Sequence, residues 1–96
     1  MPEYILLMHD DADDDETAWE QYLRRLKDIG CFEGGSAIGD GIVARKTGVV
    51  RSVTSHLTGY IRVNADSLAH AQSMLAGNPV FEAGGSVEIR ELPRTN

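Results

Sequence analysis

The chain has 96 residues, 42% hydrophobic and 25% charged, a composition typical of one small folded domain and not of a disordered chain. The net charge of -6, with scattered Lys and Arg, argues against a nucleic-acid-binding surface, and the single cysteine, Cys31, excludes an internal disulfide framework and a Cys-rich zinc site. The start, Met-Pro-Glu, carries neither a charged leader nor a long apolar run, so we expect a cytoplasmic protein without signal peptide or membrane span.

The first predicted element is a strand over residues 4–8, which are all apolar and too few for a helix. Strand alternation places Tyr4, Leu6 and Met8 on one face and Ile5, Leu7 and His9 on the other, with Asp10 at the strand end. Because both faces are apolar, we expect this strand at the centre of a sheet that is covered on both sides.

An acidic connector follows, in which six of the seven residues from Asp10 to Glu16 are Asp or Glu. It does not fit a calcium-binding EF-hand loop, because Glu16 and Tyr22 occupy the positions that require Gly and Glu when counting starts at Asp11. We interpret it as a solvated loop whose later carboxylates favour the start of a helix.

The next segment predicts an amphipathic helix. Thr17 and Glu20 form a capping-box pattern at its start, and Gly30 is suited to end it. One apolar stripe faces the core, formed by Trp19, Tyr22, Leu23, Leu26 and Ile29.

The remaining elements are shorter. Residues 31–38 predict a strand weakened by glycine, and residues 42–53 a hairpin arm that turns at Lys46-Thr47-Gly48. A third main strand covers residues 57–63. A second helix over residues 68–76, capped by Asp66 or Ser67, leads through a connector over residues 80–85 to a last strand over residues 86–92.

This order predicts a single α+β domain over residues 1–96 with a ferredoxin-like β-α-β-β-α-β antiparallel sheet, two helices on one face and an extra hairpin before the third strand. Two helices cover one face only. A second copy of the sheet is the simplest cover for the other, so we predict a two-fold homodimer that forms a dimeric α+β barrel.

Four segments resemble the YCII-related family of small dimeric α+β barrel proteins. Three segments resemble parts of the family: the first strand ending in Asp10, the helical residues 20–26 and the strand start Leu57-Thr58-Gly59. The most specific resemblance is a fourth segment, residues 78–84 (Asn-Pro-Val-Phe-Glu-Ala-Gly). The resemblance implies the same fold and dimer, and a His–Asp pair, proposed as catalytic, in a pocket between sheet and helix. Asp10 matches the Asp, whereas Tyr22 occupies the helical position where many members carry His.

The candidate site is built around Asp10, a carboxylate at a strand end beside an apolar helix stripe, where partial desolvation favours a general base. Tyr22 is a candidate hydrogen-bond donor. Alternatively, Asp10 only caps the acidic connector and Tyr22 is a core aromatic whose hydroxyl reaches solvent. Trp19 and His9 are candidate substrate-binding residues. His56, at the start of the third main strand, is the better replacement for the missing His, because His9 requires a β-bulge to turn it toward the pocket. No metal-binding His spacing occurs, so neither metal nor cofactor is expected.

Two functions remain open. The first is an enzyme that binds a small cyclic or oxygenated metabolite and performs cofactor-free proton transfer of the isomerase or lyase type. Family members include a dehydrochlorinase of an aromatic breakdown product, which fits this chemistry only by analogy of fold. The second is a non-catalytic binding or regulatory dimer. The retained Asp10 favours the enzyme, and Tyr22 at the His position favours the binding protein.

Overall fold

The computed structural model describes residues 2–93. Its elements are β1 (Glu3–His9), α1 (Glu16–Asp28), β2 (Phe32–Ala37), β3 (Leu57–Asn64), α2 (Leu68–Ser73), α3 (Pro79–Glu82) and β4 (Val87–Leu92). The four strands form one antiparallel sheet in the order β2-β3-β1-β4. The predicted α+β class and ferredoxin-like strand arrangement are confirmed. No helix among the described residues is long and apolar enough to cross a membrane.

The core lies between the sheet and its helices. Tyr4, Leu6 and Met8 of β1 are buried on the helix side, as the alternation predicted, and they pack with Ile61 and Val63 of β3. On the opposite side, which we call the open face, the other residues of β1 are only partly buried, including Ile5 and Leu7. Within residues 2–93, β1 is thus fully covered on its helix side only.

Helix α1 is capped two residues before the predicted cap. Its N-cap is Asp15, whose carboxylate accepts the Thr17 N–H at 3.0 Å and the Thr17 hydroxyl at 2.8 Å. The prediction that Thr17 caps the helix is wrong, because an ionised carboxylate two residues earlier already binds that amide. Gly30 adopts φ +81° just after the last turn, as predicted. Ile29 is 62% exposed and does not belong to the buried stripe.

The predicted hairpin is absent. Residues 38–56, which we call the arm, contain no regular strand, and local bends occur at residues 46–48 and at His56. The radius of gyration is 14.8 Å, above the roughly 12.5 Å that a compact domain of this length shows. The arm leaves the body at the end of β2 and returns at the start of β3.

Two further differences concern the second half of the chain. Helix α2 ends at Ser73, earlier than predicted, and Ser67 is its N-cap, one of the two residues expected there. The predicted connector over residues 80–85 contains the short helix α3, because the buried Asn78 side chain caps Val80 and Phe81 and Pro79 occupies the first turn.

Candidate functional site

A cavity of about 470 Å³ lies between the sheet and α1. Its floor, on the helix side of the sheet, includes three small residues, Gly35 and Ala37 of β2 and Gly59 of β3, next to the larger Met8 and Ile61. At Gly35 a Cβ would lie 2.6 Å from the Tyr60 carbonyl oxygen, so only glycine fits there without a shift of the backbone. Gly35, one of the two glycines that weaken β2 as a strand, therefore adds no side chain to the space beneath α1.

Helix α1 presents two adjacent rows of apolar side chains. Trp19 and Leu23, four residues apart, line the cavity. Tyr22 and Leu26 form the neighbouring row, which is buried in the core. The sequence shows one broad stripe. Only the packing of α2 and α3 against α1 divides it into a cavity row and a core row.

Asp10 lies at the edge of the cavity, where β1 ends. Its backbone N–H donates to the His56 carbonyl at 2.7 Å, so the start of β3 does lie beside the end of β1, as the predicted topology implies. Asp10 is exposed, and its carboxylate accepts no hydrogen bond from residues 2–93. Asp10 is thus an exposed carboxylate at the edge of the cavity, and the partial desolvation expected from its place beside the α1 stripe is not found.

The rest of the acidic connector is held by its own neighbours. The Asp11 carboxylate accepts the Ser86 hydroxyl at 2.6 Å and the Ser86 N–H at 2.8 Å, and these bonds lower its pKa. The pKa of Asp15 is lowered by the hydroxyl and amide of Thr17. Asp14 accepts the indole N–H of Trp19 at 2.5 Å, which orients the Trp19 ring at the cavity.

Tyr22 has a structural position. It is 3% exposed, and its hydroxyl donates to the Met74 carbonyl at 2.8 Å, at the C-terminal end of α2 where helix carbonyls lack intrahelical partners. Arg25 donates to the nearby Ala76 carbonyl and lies 5.7 Å from the Tyr22 ring centroid. Burial raises the pKa of Tyr22, partly offset by the Asn78 side chain and Arg25. Tyr22 is not part of the cavity wall.

The two candidate histidines, His9 and His56, contact each other at the end of β1, on the side of the open face. Their rings meet edge to face with centroids 4.9 Å apart. His9 Nε2 lies 3.2 Å from Glu88 Oε1, and Glu88 is paired with Leu7 on the open face. The pKa of Glu88 is lowered by Arg90 and then by His9. The pairing register shifts between Met8 and His9, but this irregularity does not take the His9 ring away from Glu88. His9 also borders the cavity.

The structure thus brings Asp10, His9 and Trp19 to one cavity, while Tyr22 and His56 lie outside its wall. Asp14 was missed as a site residue, although its place five residues before Trp19 in an acidic run was the available signal. Among the described residues, no three His, Cys, Asp or Glu side chains converge on a possible metal position.

Comparisons with known proteins show the fold only. No protein-family model matches this sequence. A search of curated proteins also gives no match. Among solved structures, the chain is similar to 5-chloro-2-hydroxyhydroquinone dehydrochlorinase from Burkholderia phenoliruptrix AC1100, in complex with 2,5-dihydroxybenzoquinone. The TM-score is 0.58 at 14% identity, over 97% of this chain and 95% of that one. The chain has a distant fold relation to this ligand-binding enzyme.

Proposed function

We propose that this chain is a YCII-related protein that acts as a homodimer and binds a small cyclic, oxygenated metabolite between the sheet and α1. Its chemistry is cofactor-free proton abstraction by Asp10. The observation that carries this proposal is a free carboxylate at the edge of an apolar cavity that an indole ring borders.

The cavity suits a ring-sized ligand. Its volume of about 470 Å³ lies within the range of about 300–1,000 Å³ common for small-molecule sites. The Trp19 ring, oriented by Asp14, offers an aromatic surface for stacking, and the glycine floor allows a flat ring to approach the sheet backbone. The similar dehydrochlorinase structure contains a dihydroxybenzoquinone, a ligand of this shape.

In the proposed reaction, Asp10 removes a proton from a carbon next to a carbonyl, and the electron pair moves to the carbonyl oxygen. A ligand that covers Asp10 excludes water from the carboxylate, and a poorly hydrated carboxylate accepts a proton more readily. The proton then returns to another position, or a leaving group departs. His9, which borders the cavity, is the candidate donor to the developing oxyanion, whereas His56 contacts the His9 ring from outside the cavity wall. Tyr22 supports this site only by packing.

The homodimer is supported by the open face of the sheet. Ile5 and Leu7 are partly exposed there next to partly buried Tyr60, and one layer of helices leaves the molecule only 19 Å thick. Analytical ultracentrifugation at micromolar concentration tests this point. We expect a species of twice the chain mass, and a monomer would contradict it.

The alternative is a non-catalytic binding dimer. Two observations favour it. Tyr22 stands where many family members carry His and uses its hydroxyl to cap α2. In addition, no side chain within residues 2–93 donates a hydrogen bond that would orient the Asp10 carboxylate.

Binding is tested by thermal unfolding with 2,5-dihydroxybenzoquinone and a panel of hydroxylated benzenes as probes. A ligand present at ten times its Kd stabilises the folded state by about 1.4 kcal/mol, which raises the Tm by roughly 5–10 °C for a domain of this size. Trp19→Ala should abolish the shift. Arg24→Ala, on the outer side of α1, is the matched control and should retain it. No shift with any probe would contradict the proposed ligand class.

Catalysis is tested with Asp10→Asn, which keeps the shape of the side chain and removes the base. For a probe that binds, we expect the rate of protein-catalysed deuterium exchange at its acidic C–H positions to fall by about 10²–10⁴-fold, while the ligand-induced Tm shift remains. Exchange is followed by ¹H NMR in D₂O, with the buffer rate subtracted. Equal exchange rates for wild type and Asp10→Asn would favour the non-catalytic alternative.

A further inference from the structure

The arm, residues 38–56, presents an unusual surface for an unpaired segment. Besides Ile38 at its start, four apolar residues of the arm are more than one-third exposed: Ile42 at 89%, Val49 at 81%, Val50 at 54% and Val53 at 39%. Isolated exposed apolar residues are common, but four of them on one segment without regular structure indicate an interaction surface.

The arm is also the basic part of an acidic chain. It carries Arg45, Lys46 and Arg51 against one acid, Asp40, whereas the whole chain has a net charge of -6. The described residues include no ion pair between these three cations and a carboxylate. Arg45 donates only to the Val49 carbonyl, at 3.1 Å, which closes the bend at the tip of the arm.

The complementary surface is the acidic connector at the cavity. Asp10, Asp13 and Glu16 are exposed there, and within residues 2–93 their carboxylates accept no hydrogen bond. Asp10 and Glu16 also border the cavity, together with Trp19. An apolar segment with positive charges matches an apolar opening with free negative charges on its edge.

We propose that the arm docks on the acidic connector of a second copy of this chain and completes the wall of that copy's cavity. The proposal rests on the homodimer proposed above. Ile42, Val49 and Val50 would contact the opening beside Trp19, and Lys46 and Arg51 would pair with the partner's acidic connector.

The length of the arm permits this exchange. From Ile38 to the bend at Thr47 an extended chain reaches roughly 30 Å. Two sheets packed face to face lie about 10 Å apart, and passing the edge of the second sheet to its helix side requires roughly another 10 Å. A fully extended arm would therefore be long enough to pass the partner's sheet and meet its helix side.

Photo-crosslinking with isotope mixing tests the contact. The photoreactive residue benzoylphenylalanine replaces Val49 in the full chain, and equal amounts of ¹⁴N- and ¹⁵N-labelled protein are mixed, irradiated and digested with trypsin. Tryptic residues 47–51 then carry the crosslinker, and residues 1–24 contain the connector and Trp19. We expect crosslinked peptide pairs of mixed isotope that join these two segments. The same crosslinker at Leu68, which is 55% exposed on α2, is the control and should give no mixed-isotope pair with residues 1–24.

The outcomes separate this proposal from the dimer itself. A dimer whose crosslinks join residues 47–51 to another segment, or only to the same chain, overturns the arm exchange and leaves the dimer intact. The latter result would make the arm a cover for its own cavity. A monomer in ultracentrifugation overturns both proposals.

A charge exchange gives a second measurement that does not depend on crosslinking. We expect Lys46→Glu to raise the dimer dissociation constant roughly tenfold at low salt, and Asp13→Lys in the same chain to restore most of the affinity. Arg24→Glu, a change of equal charge on the outer side of α1, should leave the constant within about twofold. A Lys46→Glu dimer as tight as wild type would refute the proposed pairing.

Discussion

Tyr22 provides the sharpest test of how the site and the core divide α1. Tyr22→Phe removes one hydroxyl and nothing else, and it leaves the Met74 carbonyl at the end of α2 without the donor that lies 2.8 Å away. Because Tyr22 is 3% exposed, water does not easily replace that donor.

The expected cost follows from that single bond. Leaving a buried carbonyl unpaired costs about 1–2 kcal/mol. For a domain of this length, that corresponds to a Tm lower by roughly 5–12 °C and a urea midpoint lower by roughly 1 M. Ligand binding should be unchanged, since Tyr22 is absent from the cavity wall.

Urea and thermal unfolding followed by circular dichroism give the stability change, and the ligand-induced Tm shift gives binding. Tyr4→Phe is the matched control. Tyr4 is buried in the same core, is absent from the cavity wall, and its hydroxyl makes no hydrogen bond within residues 2–93, so we expect a change below about 0.5 kcal/mol. If Tyr22→Phe retained full stability and lost ligand binding, the assignment of Tyr22 to the core would be wrong.

Three further predictions concern the scaffold. Gly35→Ala should lower the free energy of unfolding by about 1–3 kcal/mol, because its Cβ would lie 2.6 Å from the Tyr60 carbonyl oxygen; equal urea midpoints for the two proteins would contradict this clash. Asn78→Ala should cost about 1–2 kcal/mol by leaving two α3 amides without their acceptor; a retained melting temperature would show that α3 needs no cap. Burial raises the pKa of Cys31 above its ordinary value of 9.0, so the unfolded thiol ionises first and stability should fall as the pH rises above about 9. Cys31→Ala should reduce this fall in urea titrations between pH 8 and 10, and identical pH profiles would count against the buried thiol.

Hydrophobic periodicity was sufficient for most of the fold. The apolar run of β1 and the spacing of α1 predicted a central strand and a helix on one side of an antiparallel sheet, and both are confirmed. These patterns depend on local geometry, since side chains alternate along strands and repeat every 3.6 residues along helices. The position of Asp10 beside His56 also followed from the order of the strands.

Where two local signals competed, the sequence did not identify the stronger one. Thr17 and Asp15 both suit a helix N-cap, and the charged acceptor is the one used. Residues 42–53 have the β-branched composition of a hairpin, but a two-stranded ribbon without a packing surface is marginal in water, and the arm stays irregular.

The sequence by itself determined the class of fold, the place of β1 at its centre and a carboxylate at the end of that strand. Only the tertiary structure decided which residues of the α1 stripe face a cavity. Trp19 borders that cavity and Tyr22 caps α2, because the division depends on where α2 and α3 pack, a contact between segments some fifty residues apart. Periodicity along one helix carries no information about that contact.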